Sequence, residues 1–273
     1  MADLPPLRDV IARHGLAARH SLGQHFLLDA NLTDRIVRHA GNLAGRHVIE
    51  VGPGPGGLTR SLLASAAASV TAIELDRRAI GALGELAAAT GPRLRVIEAD
   101  AMALDTASLV ASPRRMIANL PYNIAAPLLI RWLRQAAAFE RLTLMFQQEV
   151  ADRICAAPGT AAYGRLSVLT QWTCEARVVM RLPPEAFTPP PKVSSAVVSL
   201  TPHTIQPDAG LVAAMESLTA AAFGQRRKML RGSLRTLGGE ALLARAGIAP
   251  ERRAETLSVV EFDRLVGLTA ATH

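Results

Sequence analysis

Cysteine is nearly absent from this chain. Cys155 and Cys174 are the only two, they do not form a CxxC pair, and they lie in helix-like surroundings, which favours reduced, structural thiols over redox or metal chemistry. Histidines in HxH or HExxH spacing are also lacking, so no metal site is expected. No apolar run approaches a membrane span, and because alanine is abundant, the mean hydropathy of +0.21 is a poor sign of membrane affinity. The first twenty residues hold Asp3, Asp9, Pro5 and Pro6 beside three arginines. They therefore lack both the apolar core of a secretion signal and the acid-poor character of a transit peptide. A cytoplasmic protein without membrane contact is expected. Internal repeats and low-complexity tracts are missing too.

What is present suits a folded enzyme. Hydrophobic residues make up 49% and charged residues 19% of 273 residues, a length near which a single core stops growing, so one large domain with a smaller appendage is the natural organisation. The net charge of +7 bears on function only if it is clustered.

The segment His47 to Arg60, HVIEVGPGPGGLTR, organises the rest. Val48, Ile49 and Val51 are β-branched, as in a buried parallel strand. Gly52, Gly54 and Gly56 then remove the Cβ atoms that would keep a ligand off the backbone, and Leu58, Leu62 and Leu63 begin a helical pattern. Such a strand, loop and helix is where nucleotide-like cofactors bind in α/β sheets, although a plain Gly/Pro turn reads the same way. A second strand, VTAIEL, ends in Glu74, about twenty residues further on, where an acid for ribose hydroxyls belongs. A third ends in Asp100 and a fourth in Asn119, followed by Leu120, Pro121 and Tyr122.

Strand and helix alternate through a fifth strand at Leu142 and a helix from Gln148, which predicts a doubly wound α/β sheet. Two more strands, from Ala176 and Ser194, flank PPEAFTPPPKV, whose prolines predict an extended connection without regular structure. Upstream, residues 1–20 form a lead, and Asp29 is a candidate N-cap of an amphipathic helix. The polar stretch from Thr201 to Pro207 sets a boundary near Thr204, so residues 21–203 form the sheet domain and 204–273 a helical domain. Its last helix carries a Ser258/Glu261 capping box.

Asn119-Leu120-Pro121-Tyr122 narrows the chemistry. An asparagine amide and a neighbouring backbone carbonyl can each accept a hydrogen from an exocyclic amine while the tyrosine ring stacks on a flat base. That suits adenine N6, whose lone pair is delocalised into the ring until acceptors hold its hydrogens out of plane. Asn-x-Pro as ordinary turn chemistry is the structural alternative.

With these segments in view, the chain resembles the ribosomal RNA adenine N6,N6-dimethyltransferase family of small-subunit enzymes. The likeness rests on LGQHFL at Leu22, EVGPGPGGLT at Glu50, IELD at Ile73, DAM at Asp100, NLPYNI at Asn119, YGRLSV at Tyr163, FTPPPKVSSAVV at Phe187 and FGQRRKMLRGSL at Phe223, over nearly the whole length. The resemblance implies a Rossmann-like methyltransferase sheet with S-adenosylmethionine as cofactor. It implies dimethylation of two adjacent adenosines in the 3′-terminal hairpin of small-subunit ribosomal RNA, with that RNA and the immature small subunit as partners, and we expect a monomer. Cofactor contacts are implied for His25, Leu27, Gly52 (methionine moiety), Glu74 (ribose), Asp100 (adenine amino group) and Asn119. The family usually has asparagine where His25 stands. Methyl transfer falls to Asn119, Leu120, Pro121 and Tyr122, with Phe187 as a second aromatic facing the base or, alternatively, packing in the core. Glu149, Arg153 and Arg165 also match family positions, and an ion pair explains them equally well.

The charge is clustered. Arg226, Arg227, Lys228, Arg231 and Arg235 fall in ten residues without an acid, with Arg227, Arg231 and Arg235 on one helix face beside a Leu230, Leu234, Leu237 stripe. We read this face as an RNA-phosphate contact, its alternative being a solvated surface. Three rival functions share the fold: a large-subunit rRNA adenine methyltransferase conferring antibiotic resistance, a non-catalytic assembly or transcription factor, and a nicotinamide-dependent oxidoreductase. The last leaves NLPY and the basic segment unexplained. An adenine DNA methyltransferase would need a larger recognition region than this tail.

Overall fold

The computed structural model describes residues 4–16, 24–225 and 228–270. Leu7–Arg13 forms helix α1 and Phe26–Leu27 the two-residue strand β1. Then follow α2 (Ala30–His39), β2 (His47–Val51), α3 (Gly57–Ala64), β3 (Ser69–Glu74), α4 (Arg77–Thr90), β4 (Leu94–Glu98), β5 (Arg114–Asn119), α5 (Ala125–Leu133), β6 (Arg141–Gln147) and α6 (Gln148–Ile154). After α7 (Arg165–Thr173) come β7 (Cys174–Leu182), β8 (Phe187–Thr188) and β9 (Ser195–Pro202). Four helices finish the chain: α8 (Ala209–Gly224), α9 (Leu230–Ser233), α10 (Gly239–Ala246) and α11 (Val259–Ala270).

Seven strands form one sheet in the order β4-β3-β2-β5-β6-β9-β7. β2 to β6 are mutually parallel and β9 runs antiparallel to β6. The parallel strands are apolar because helices cover both faces: Val48, Ile49, Met116, Ile117, Leu142 and Leu144 have no accessible surface. The order turns back between β2 and β5, so the loops after those strands diverge and leave a crevice at their carboxyl ends. Two carboxylates start the helices that frame it. Asp29 accepts the Asn31 N–H at 2.8 Å ahead of α2, and Asp76 accepts the Arg78 N–H at 3.1 Å ahead of α4.

The prolines of PPEAFTPPPKV do not keep that whole connection irregular. Phe187 and Thr188 pair with Leu27 and Phe26 in a separate two-stranded ribbon, a partnership local sequence does not disclose.

The chain divides into two compact units, residues 1–129, 137–151 and 177–201 in one and 130–136, 152–176 and 202–273 in the other. The second unit thus opens at Pro202, close to the boundary read from the sequence, but it also takes residues 130–136 and 152–176 from within the stretch assigned to the sheet domain. Apolar packing is the reason. Phe223 of α8 stacks on Phe262 of α11 at 5.7 Å and meets Tyr163, just before α7, edge-on at 6.2 Å. The Ser258/Glu261 capping box closes α11 at its start, with the Ser258 N–H donating to Glu261 at 2.8 Å and the Glu261 N–H donating back at 3.2 Å. Cys174 is buried, which pushes its thiol up to about 11. Among the described residues no helix is long and apolar enough to cross a membrane, and no three His, Cys, Asp or Glu side chains converge as a metal-ligand set.

Candidate active site

The crevice at the carboxyl ends of β2, β3 and β5 is a cavity of about 200 Å³. Its lining includes His25, Leu27, Gly52, Glu74, Asp100, Asn119, Leu120, Pro121 and Tyr122, nine positions named from the sequence and brought together from five segments.

The floor is the glycine loop. Gly52 sits at φ 68°, and a Cβ there would lie 3.1 Å from the Pro121 ring. The loop after β2 and the Asn-Leu-Pro-Tyr turn after β5 therefore pack directly on one another. At Gly57, the first residue of α3, a Cβ would lie 2.5 Å from the Leu27 carbonyl oxygen, so the close approach of β1 requires glycine.

Glu74 ends β3 almost fully buried. One carboxylate oxygen accepts the N–H groups of Leu75 (2.8 Å) and Asp76 (2.9 Å), and the other accepts that of Gly54 (3.0 Å), tying the glycine loop to the neighbouring strand. Burial raises its pKa while these three donors pull the other way. Asp76 is held down at about 2, chiefly by the Arg78 guanidinium 2.6 Å away, and it also accepts from Gln24 at 3.1 Å. Asp100 is exposed and accepts the Met102 N–H at 2.8 Å.

Glu50 opens one of the motifs above without a role assigned to it there. It is buried on β2 and lines the cavity, and it takes a 2.7 Å hydrogen bond from the Thr59 hydroxyl. Burial pushes its carboxyl up to about 8, with the Glu74 charge adding to the rise. The available signal was one acid inside an otherwise apolar strand immediately before the glycines. Leu75, 57% exposed at the cavity wall, was passed over as well.

Asn119 sits at the end of β5 with its amide nitrogen donating to the His25 backbone carbonyl at 3.1 Å, which leaves Oδ1 as the acceptor. The Tyr122 hydroxyl meets Ser195 Oγ at 2.5 Å, and burial raises the phenol pKa. His25 stacks on the Tyr122 ring, centroids 5.4 Å apart and planes 27° from parallel, while its Nδ1 lies 2.8 Å from the Pro189 carbonyl oxygen. One histidine thus joins the amino-terminal motif to the Asn-Leu-Pro-Tyr turn and the proline-rich connection.

Phe187 is not brought to this cavity. Only 2% exposed, it packs with Leu27, Val37, Leu58 and Met180 in the core, because pairing with β1 turns it inward. The packing alternative describes its position.

The basic segment also differs from the helix read in the sequence. α8 stops at Gly224, α9 covers only Leu230–Ser233, and a 3-10 turn takes Arg235–Leu237, so Arg231 and Arg235 do not share one continuous α-helix. The N–H groups of Leu230 and Arg231 go to the carbonyls of Arg252 (2.8 Å) and Pro250 (3.1 Å) instead of to a preceding turn. Lys228, Arg231 and Arg235 are exposed, and Leu230 and Leu234 are buried beneath them. Arg226 and Arg227 lie outside the described residues.

Comparisons with known proteins identify what the whole chain is similar to. The sequence profile of the family described as "Ribosomal RNA adenine dimethylase" matches residues 15–270. The chain is 60% identical to "Ribosomal RNA small subunit methyltransferase A" of Gluconobacter oxydans, over 99% of this chain and 89% of that protein. It is 59% identical to the protein of the same name in Paramagnetospirillum magneticum, over 96% and 94%. Among solved structures it is similar to a dimethyladenosine transferase from Plasmodium falciparum (TM-score 0.74, 26% identity, 88% of this chain and 96% of that one). It is also similar to the 23S rRNA methyltransferase ErmE (TM-score 0.67, 28% identity, 89% and 98%).

Proposed function

Because the chain belongs to the ribosomal RNA adenine dimethylase family, we propose that its cavity transfers methyl groups from S-adenosylmethionine to N6 of two adjacent adenosines in the 3′-terminal hairpin of small-subunit ribosomal RNA, within the immature small subunit. The observation that carries this reading is the fixed amide of Asn119, whose nitrogen is committed to the His25 carbonyl and whose oxygen remains to accept a hydrogen of the target amine.

The residues of the cavity fit the cofactor. The glycine loop leaves room for a ligand against the backbone, and Glu50, Glu74 and Asp100 place three carboxyl groups around it, suited to a ligand that carries hydroxyls and an amino group. Bound there, S-adenosylmethionine supplies an electrophilic methyl on a sulfonium centre. Glu74 takes the ribose hydroxyls, Asp100 the adenine amino group, and His25, Leu27 and Gly52 line the remainder.

The chain's own contribution is placement. Asn119 Oδ1 and the adjoining backbone of Leu120 and Pro121 hold the amine hydrogens out of the base plane, which localises the nitrogen lone pair. Tyr122 offers an aromatic face worth about 1–3 kcal/mol of stacking. No strong base is required, since an amine acquiring positive charge sheds its proton to water; orientation and charge placement lower the barrier. Lys228, Arg231 and Arg235, with Arg226 and Arg227, contact RNA phosphates.

The large-subunit alternative is weaker, because the likeness to ErmE is 28% identity against 60% for the small-subunit relative. The test is to offer labelled S-adenosylmethionine with immature small subunits, naked ribosomal RNA and large subunits, and to map the modified nucleotides. Label on adenosines of large-subunit RNA alone overturns the reading, and no transfer to any RNA assigns a non-catalytic role.

A further inference from the structure

We propose that the rim of the sheet opposite the cavity, built by Arg46 and Arg115 on Glu140 with Arg141 beside Arg115, is a second contact for the RNA phosphate backbone; the inference rests on ribosomal RNA being the substrate. Arg115 and Arg141 are register partners on the parallel strands β5 and β6, so two like charges stand side by side in the ladder. Like charges in that relation destabilise a sheet. One carboxylate oxygen of Glu140 serves both Arg115 Nε (2.9 Å) and Arg46 Nε (3.2 Å). Two guanidiniums thus share a single acid, and Arg141 adds a further like charge beside Arg115. Burial and the neighbouring charges of Arg141 and Arg46 disfavour the charged form of Arg115, partly offset by Glu140.

A purely architectural explanation accounts for part of this cluster. Arg115 caps the end of α2 by donating to the Ala40 carbonyl at 3.2 Å, and Arg46 donates to the Ala44 carbonyl at 2.7 Å. It does not account for Arg141. Nη1 of that side chain reaches to 3.4 Å from where a Cβ would stand on Gly41, and its Nε is buried with no hydrogen-bond partner. A third cation beside Arg115 adds repulsion that the fold does not need, and an approaching phosphate would relieve it.

The position suits RNA. The arginines stand at the amino ends of β5 and β6 and just before β2, whereas the cavity opens at the carboxyl ends, and a five-residue strand such as β2 spans about 17 Å. A structured RNA that places one adenosine in the cavity continues past it in both directions. Its phosphates carry the charge this rim lacks, and arginine's planar fork matches them.

The experiment uses the full chain and an RNA hairpin fragment carrying the adjacent adenosines, with affinity followed over a modest salt range. Arg141→Gln is expected to weaken binding and make the slope of log affinity against log salt shallower by about one unit. Glu140→Gln is expected to tighten RNA binding, a direction that a loss of structure does not produce. Cofactor affinity should stay at the parental value in both, and thermal unfolding monitors their folding. Arg95→Gln, on β4 at the far edge of the sheet, serves as a charge-matched control and should leave the slope unchanged. An unchanged slope in Arg141→Gln, no tightening in Glu140→Gln, or an equal effect from Arg95→Gln each overturns the proposal. If the parent protein methylates no small-subunit RNA, the functional reading itself fails, which is a separate result.

Discussion

The side-chain nitrogen of Asn119 donates to the backbone carbonyl of His25, joining positions 94 residues apart in the chain. That bond leaves Oδ1 as the free end of an amide that lines the cavity. Replacing Asn119 with alanine should lower single-turnover methylation by about 10²–10³-fold, the usual cost of one preorganised polar group at a reacting centre, while RNA affinity stays within a few-fold. Asn119→Asp keeps an acceptor oxygen but loses the donor to His25, and should recover little of the rate. Parental turnover by the alanine variant would remove Asn119 from the reacting centre.

Glu50 makes stability depend on pH. Its folded carboxyl titrates at about 8 against an ordinary value of 4.5, so between those values the unfolded chain has given up a proton that the folded one retains. The protonated, folded form is favoured at low pH, and this contribution is lost as pH rises through about 8. Glu50→Gln removes the dependence. The melting temperature of the parent relative to that variant, measured without cofactor, should therefore fall steadily from pH 5 to pH 8. A constant difference across that range would mean that Glu50 is ionised in the folded protein.

Gly57 is the tightest point of the loop. Gly57→Ala forces a Cβ onto the Leu27 carbonyl, which must move. We expect a loss of about 1–3 kcal/mol in denaturant unfolding, together with weaker cofactor binding because β1 borders the cavity. Gly84→Ala, where a Cβ meets nothing within 4 Å in the middle of α4, is the control and should be neutral or mildly stabilising.

Phe187 separates packing from stacking. As a core residue, Phe187→Ala should cost about 3–5 kcal/mol, whereas Phe187→Leu should cost less than about 1.5 kcal/mol and leave methylation near the parental rate. A leucine variant that folds normally but loses turnover would mean that the ring leaves the core to meet the target base.

The parts of the site that could be read from the sequence are those whose signal is local. The alternate glycines, the acid about twenty residues later and the polar residues ending successive strands each follow from strand and loop geometry within a few positions. Glu50 carries no role in the sequence because one acid in an apolar strand reads as a strand residue, and only its burial and its contacts with Thr59 and Glu74 give it weight. The inward turn of Phe187 and the break between α8 and α9 depend on partners far along the chain, Leu27 in one case and Pro250 with Arg252 in the other. The same holds for the transfer of residues 152–176 to the second unit, where Tyr163 finds Phe223. Helical spacing alone made residues 226–237 look like one continuous helix.

The pairing of Phe26 and Leu27 with Thr188 and Phe187 carries a consequence for the order in which the protein is made. At the ribosome the first of these strands emerges about 160 residues ahead of its partner, so β1 has no backbone mate until the proline-rich connection has been synthesised. His25 likewise waits for Pro189. The glycine loop and its acids lie within residues 50–100, whereas the contacts of His25 with Pro189 and of Tyr122 with Ser195 wait for the later segment. A nascent chain arrested before residue 187 therefore carries the glycine loop without the partners of β1, His25 and Tyr122, and on the proposed reading of this cavity methyl transfer waits until most of the polypeptide exists.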